Sequence, residues 1–281
     1  MINSKNTLME QVKKPFNDPV VMAILNLTPD SFSDGGAYIN YDSALKRTEE
    51  LILQGAHIID VGAESTRPFA EPVSEQEEIS RLSEYVSKFK TYFDVPLSID
   101  TTKAGVARFC LEKGADIIND VSGLSNDSEM ANVAAKYDAT LVLMHMKESP
   151  KTMQVNPSYE DVLNDVKLHL ETSRDLAYKA GVQSVILDPG IGFGKTLEDN
   201  LRLIANLNVF LDLDCPLLIG TSRKSFIEKI TGGDVTNRLT GTLISNILAF
   251  EKGASIFRVH DVQEVVNAFK MYQAIEEYYV N

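Results

Sequence analysis

The sequence predicts an α/β protein, a (β/α)8 TIM barrel built as a single domain over residues 1–281, with residues 1–19 as a short N-terminal extension. Three observations predict it. Eight short runs rich in Ile, Val and Leu recur along the chain without clean polar alternation, as parallel strands buried on both faces require. Each run is followed by a longer stretch with helical spacing, and strict strand–helix alternation favours a closed barrel. No linker, charge block or low-complexity stretch sets off a second domain. A doubly wound open sheet is the other arrangement that the alternation permits.

The elements follow in order. VMAILN from Val21 ends at Asn26 and leads into DSFSDGG (Asp30 to Gly36), a polar segment that is either a surface loop or a lid at the catalytic rim. The amphipathic DSALKRTEELILQGA precedes HIIDV from His57, expected to end at Asp60, with Glu64 shortly after in ESTRPFAEP. Arg67 and Pro68 are the functional candidates of that segment. PLSID from Pro96 ends at Asp100, and TKAGVARFCLEKGA leads from there to DIIND, ending at Asn119-Asp120. ATLVLM from Ala139 ends at Met144-His145, and SVILD from Ser184 ends at Asp188. PLLIG from Pro216 runs into Thr221-Ser222-Arg223-Lys224. After TNRLTGTLISNILAFEKGA, ASIFRV from Ala254 ends in Arg258-Val259-His260-Asp261. Gly55, Gly114 and Gly253 stand just before strands, where a glycine can close a helix in the left-handed conformation.

Lys and Arg number 27 against 40 Asp and Glu, a net charge of −13. So acidic a chain is unsuited to coating a nucleic-acid backbone, although a few local cations can still bind a small anion. Cys110 and Cys215 stand far apart without metal spacing and read as reduced, buried thiols. The opening MINSKNTLMEQVKKPFNDP lacks the apolar core of a signal peptide, and no run approaches the roughly 18 apolar residues of a membrane span. A cytoplasmic protein with no membrane or nucleic-acid partner is expected. GIGFGKT (Gly190 to Thr196) resembles a phosphate-binding P-loop, but Pro189 stands where that pattern needs Gly. Of the histidines, His57 is expected at the far rim, His169 solvated on a helix, and His145 at the catalytic rim orienting its neighbours. No zinc spacing and no nucleophile–base arrangement is present in the sequence.

An Asp at one strand end is ordinarily a helix cap or a turn residue. Polar groups at every strand end, all on the rim where barrels hold their active sites, point instead to an enzyme or a ligand-binding barrel. Asp100, Asn119 and Asp188 suit a planar ligand rich in N–H donors. Lys224, Arg258 and His260 come from the last two strands, where barrels often hold phosphate, and Arg and Lys suit its oxygens.

These segments together resemble dihydropteroate synthase: NLTPDSFSDGG at Asn26, DVGAESTRP at Asp60, SIDT at Ser98, INDVSG at Ile118, LMHM at Leu141, DPGIGFGKT at Asp188, GTSRKSF at Gly220 and RVHDV at Arg258. The resemblance implies a TIM barrel, a homodimer, and condensation of 6-hydroxymethyl-7,8-dihydropterin diphosphate with p-aminobenzoate to 7,8-dihydropteroate and diphosphate. It implies a pterin pocket of Asp100, Asn119, Asp188 and Lys224, with Met144 on the ring face. Asn26, Thr66, Arg258 and His260 would take the diphosphate, with Mg²⁺ held partly by Asn26. Arg67, Pro68, Phe193 and Ser225 would line the aminobenzoate pocket, completed by a loop carrying Asp34. Lys224, Arg258, His260 and Asp100 would be catalytic. The chain departs from the family's usual wording at Ala63, Phe69, Thr102 and Glu148. Two rivals stand beside this reading. A pterin-binding methyltransferase barrel would not need the Ser-Arg-Lys and Arg-Val-His segments, and a catalytically silent barrel would be expected to have lost a phosphate ligand or shortened its lid.

Overall fold

The computed structural model describes residues 18–28, 40–65, 71–147, 157–232 and 234–278. Asp34, Thr66, Arg67, Pro68, Phe69 and Glu148 lie outside them, as do residues 1–17. Strands and helices alternate as β1 (Val20–Asn26), α1 (Tyr41–Leu53), β2 (Ile58–Gly62), α2 (Glu75–Tyr92), β3 (Leu97–Asp100), α3 (Ala104–Glu112), β4 (Ile117–Asp120) and α4 (Met130–Lys136). The second half continues with β5 (Thr140–Met144), α5 (Val162–Ala180), β6 (Ser184–Asp188), α6 (Leu197–Ala205), β7 (Leu218–Ile219), α7 (Ser225–Thr231), α8 (Leu239–Glu251), β8 (Ile256–Val259) and α9 (Val262–Glu276).

All strands pair in parallel, in the order β6-β5-β4-β3-β2-β1-β8-β7. The two ends of that order meet: Leu187 bridges Leu217, and the Leu187 N–H donates to the Pro216 carbonyl at 2.9 Å. An open sheet would leave both ends unpaired, so the doubly wound alternative is excluded.

Alternation along each strand decides which residues reach the cavity. Val21, Ala23, Leu25, Ile59 and Val61 face outward into the core shared with the helices. Val20, Met22, Ile58, Ile117, Val142, Ile186, Leu218 and Ile256 form a separate cluster that plugs the barrel interior. Burying each such aliphatic side chain contributes roughly 1.5–3 kcal/mol. Two residues further along the strands from Ile58, Ile117, Val142, Ile186 and Ile256 stand Asp60, Asn119, Met144, Asp188 and Arg258. The same alternation that fills the plug therefore aims these five into the space above it. Strand register aligns them: Asp60 opposite Ser98, Asp100 opposite Asn119, and Met144 opposite Asp188.

The helices start and stop by local chemistry. Asn40 and Ser74 cap α1 and α2 by accepting backbone N–H groups, and Thr196 with Asp199 forms a reciprocal capping box on α6. Gly55, Gly114 and Gly253 take φ of +102°, +101° and +95°, the left-handed role expected of them. Two strand ends differ from expectation. β2 runs on to Gly62, which makes Asp60 a strand-interior residue, and β8 stops at Val259, leaving His260 and Asp261 in the turn before α9. Cys110 and Cys215 are free and buried. Among the described residues, no helix is long and apolar enough to cross a membrane.

Candidate active site

The mouth of the barrel is organised around one arginine. Arg258 donates from Nε to Asp60 at 2.6 Å and from Nη2 to Asp100 at 2.6 Å. Asp60 is fully buried, and also accepts from the Ser98 hydroxyl at 2.6 Å and the Asn119 amide at 3.2 Å. One carboxylate on β2 thus ties together groups from β3, β4 and β8. Burial works against the Arg258 charge, but Asp60 and Asp100 outweigh it and hold its pKa above the ordinary arginine value. Burial pushes the Asp100 carboxyl up to about 7, with Arg258 restraining it and Asp60 adding to the rise.

Across the mouth, Asp188 accepts the Gly190 N–H at 2.7 Å. Burial raises its pKa to about 6, held back by that N–H and by Lys224, Lys195 and Arg258. Lys224 stands just before α7, with Nζ 3.8 Å from the centre of the Phe193 ring. Burial and the Arg258 charge lower its pKa to about 8. Phe193 packs in turn with Met144, Val121 and Met146, making an apolar wall beside the carboxylate–ammonium pair. An acceptor, a donor and a flat apolar surface therefore meet at one place, which suits a planar ring with polar edges.

His260 shares a 3.1 Å contact between Nδ1 and the Ser222 hydroxyl. Burial, then Arg258 and Arg223, lowers its pKa to about 4, so at neutral pH it offers a hydrogen bond rather than a charge. Ser225 lies exposed at the first turn of α7. Asn26 ends β1, half-buried, next to Gly62 in register.

Other rim residues serve the scaffold. Asp120 accepts from the Ser122 N–H, the Ser122 hydroxyl and the Leu124 N–H, so it fixes its own turn. Glu64 pairs with Lys103 at 2.5 Å and accepts the Val73 N–H, while Lys103 also holds the buried Glu78 at 2.7 Å. His57 accepts the Val21 N–H at 3.0 Å, the structural role expected of it.

The expectation for His169 is corrected. It is not solvated: its ring stands edge-on to His145, 4.8 Å between centroids, and its Nε2 is buried with no hydrogen-bond partner among the described residues. Helical spacing placed it on α5, but could not reveal that this face of α5 packs over the β5 end. Two residues carry more of the site than the sequence indicates. The sequence places Asp60 only among the polar strand ends of the rim and assigns it no individual contact, although its position two residues after Ile58 shares the inward parity of the plug. Lys195, set aside with the P-loop pattern, is 3% exposed and bonded to His145 Nδ1 at 2.9 Å. Spacing held no sign of that burial. Asp100, Asn119, Met144, Asp188, Lys224, Arg258, Phe193 and His260 all lie at the barrel mouth, whereas Thr66, Arg67, Pro68 and Asp34 lie outside the described residues.

Residues 22–260 match the model of the family described as pterin binding enzyme. Fold and site together define a pterin-binding barrel. The dihydropteroate synthase of Clostridium beijerinckii is 47% identical over 252 residues, covering 89% of this chain and 92% of that protein. That of Bacillus subtilis is 45% identical over 258 residues, covering 91% and 88%. Among solved structures, Yersinia pestis dihydropteroate synthase with a sulfonamide drug complex gives a TM-score of 0.87 at 41% identity, covering 92% of this chain and 95% of that one. The Clostridium difficile enzyme in the presence of pteroic acid gives 0.86 at 42%, covering 92% and 97%. The chain belongs to the dihydropteroate synthase family.

Proposed function

We propose that this barrel is a folate-pathway transferase that joins 6-hydroxymethyl-7,8-dihydropterin diphosphate to p-aminobenzoate, with diphosphate leaving before the arylamine attacks. The observation that carries the reading is the meeting of Asp100, Asn119, Asp188, Lys224 and Arg258 around one mouth. Asp188 accepts from the pterin 2-amino group and ring N–H, and Lys224 donates to the ring carbonyl. Asn119 offers both a donor and an acceptor, and Met144 covers the ring face.

Cleavage of the C–O bond leaves positive charge on the exocyclic methylene, shared with the electron-rich ring. Asp100 stabilises that charge, and Arg258, His260 and Thr66 receive the departing diphosphate. Arg258 reaches it through Nη1, since Asp60 and Asp100 engage Nε and Nη2. The arylamine is neutral at physiological pH, so it attacks without a strong base and its nitrogen releases a proton to solvent as the C–N bond forms; Phe193, Ser225, Arg67, Pro68 and Asp34 are assigned to its binding. Among the described residues no three His, Cys, Asp or Glu side chains are grouped to hold a metal. Asn26 offers one hard oxygen at the rim and is the residue that would hold Mg²⁺. A Mg²⁺ held there would supply positive charge to offset that of the leaving diphosphate. A cytoplasmic homodimer completes the reading, supported by exposed Ile244 and Leu248 on α8 and Met271 and Ile275 on α9.

The test mixes the protein with both substrates and Mg²⁺ and measures released diphosphate and dihydropteroate. Product formation that requires p-aminobenzoate is expected. Arg258→Ala should lower kcat, on the order of 10²–10³-fold for a lost transition-state donor. Phe193→Ala should instead raise the KM for p-aminobenzoate with a smaller change in kcat. An Arg258→Ala enzyme with undiminished turnover would remove the diphosphate assignment.

A further inference from the structure

The GIGFGKT segment after β6 is a tightly bound loop whose backbone the side chains around it hold. Lys195 Nζ reaches the Gly190 carbonyl at 2.9 Å, the Phe193 carbonyl at 3.0 Å and His145 Nδ1 at 2.9 Å. With the His145 carbonyl as a longer fourth contact at 3.4 Å, all three protons of the ammonium are taken up. The Tyr159 hydroxyl donates to the Gly194 carbonyl at 2.7 Å, and Asn200 Oδ1 accepts the Gly192 N–H at 2.6 Å. A Cβ on Gly190, at φ +71°, would stand 1.9 Å from the His145 carbonyl oxygen, so only glycine lets the loop close on the β5 end.

Both ends of what Lys195 grips carry the site. Gly190 donates its N–H to Asp188, and Phe193 forms the surface under Lys224. We infer that Lys195 is a positioning residue: its buried ammonium fixes the β6 loop so that Asp188 and Phe193 are set together, coupling the pterin and aminobenzoate subsites. It touches neither substrate and acts through those two residues. The inference rests on the substrate assignment above.

Charge adds a second effect. Burial lowers Lys195 to about 7, with Asp188 opposing that fall, so the ammonium is charged at pH 6. Asp188 is faced by Lys195 on its own loop, Lys224 at the start of α7 and Arg258 on β8, the last paired with Asp60 and Asp100. Lys195 is faced by His145 after β5 and Asp199 on α6, with His169 on α5 and Lys147 beyond His145. His145 is neutral, its pKa lowered to about 2 by burial and Lys195. Removing the Lys195 charge leaves Asp188 with Lys224 and Arg258 and raises its pKa. Pterin binding needs the carboxylate, so the affinity then falls away at higher pH than in the wild type.

The experiment uses the full chain as wild type, Lys195→Met and Lys195→Gln. Binding of the dihydropterin diphosphate is measured by calorimetry at pH 6 and pH 8, and steady-state KM and kcat for both substrates at pH 6, where Lys195 is charged. Lys195→Met should raise both KM values about tenfold, with kcat within about threefold of wild type. Its pterin Kd should worsen more at pH 6 than at pH 8. Lys195→Gln keeps two N–H donors without the charge, so it should hold the p-aminobenzoate KM near wild type and still lose pterin affinity preferentially at pH 6. If Lys195→Met does not fold, the Gln variant decides. Unchanged KM values, a fall in kcat alone, or equal Kd ratios at the two pH values would overturn the inference. A wild type that binds no pterin would sink the substrate assignment itself, and this inference with it.

Discussion

Asp188 illustrates how single residues at this mouth trade stability for binding. Its folded pKa of about 6 lies above the ordinary carboxylate value, because burial penalises the charge more than Lys224 and Lys195 favour it. A carboxyl raised in this way stabilises the fold fully below its unfolded pKa, and that contribution disappears as pH rises through the folded value. At pH 8 the ligand-free protein therefore carries a destabilising anion. Asp188→Asn, which keeps an acceptor for Gly190, should raise stability to urea at pH 8 by on the order of 1–3 kcal/mol and leave it nearly unchanged at pH 4. Pterin binding should be lost. A variant less stable than wild type at pH 8 would mean that the two lysines outweigh the burial. Residue types at this scale were legible: Asp100, Asn119, Asp188, Lys224 and Arg258 announce donors and acceptors for a polar-edged ring. Their partners were not. Nothing in the spacing says that Arg258 lies between Asp60 and Asp100, because that contact joins positions 198 and 158 residues apart.

At the scale of elements, the strands are unequal. β1 and β2 share five register pairs, whereas β7 contributes two residues to β8 and a single bridge to β6. Local opening follows the least-paired seam. Hydrogen exchange should find the Leu187 N–H, bonded to Pro216, exchanging at least about tenfold faster than amides between β1 and β2. Equal protection at both seams would place the weak point elsewhere. The apolar runs marked all eight strands, including β7, since PLLIG carries the composition of a buried strand even where only Leu218–Ile219 pair. Strand ends were less legible. Asp60 reads as a terminus in a sequence where polar residues usually close strands, yet its charge is compensated inside β2 by Arg258, Ser98 and Asn119. Likewise α5 carries His169 on a face that is polar by residue type but packs against His145.

For the whole molecule, the net charge of −13 describes the outer surface and not the mouth. There Asp60, Asp100 and Asp188 face Arg258, Lys224 and Lys195, so an anionic substrate meets a nearly balanced field. Closure of the barrel was expected from alternation alone; what proves it is the meeting of β6 and β7. The apolar plug beneath the site also limits how such a protein can change. Asp188 faces the cavity because it lies an even number of residues from Ile186. Inserting one residue between them would swing the acid out among the helices, as a shifted frame garbles every later word. Strands of this barrel can therefore acquire new specificity by exchange of side chains, while gains and losses of length are confined to the connections between them.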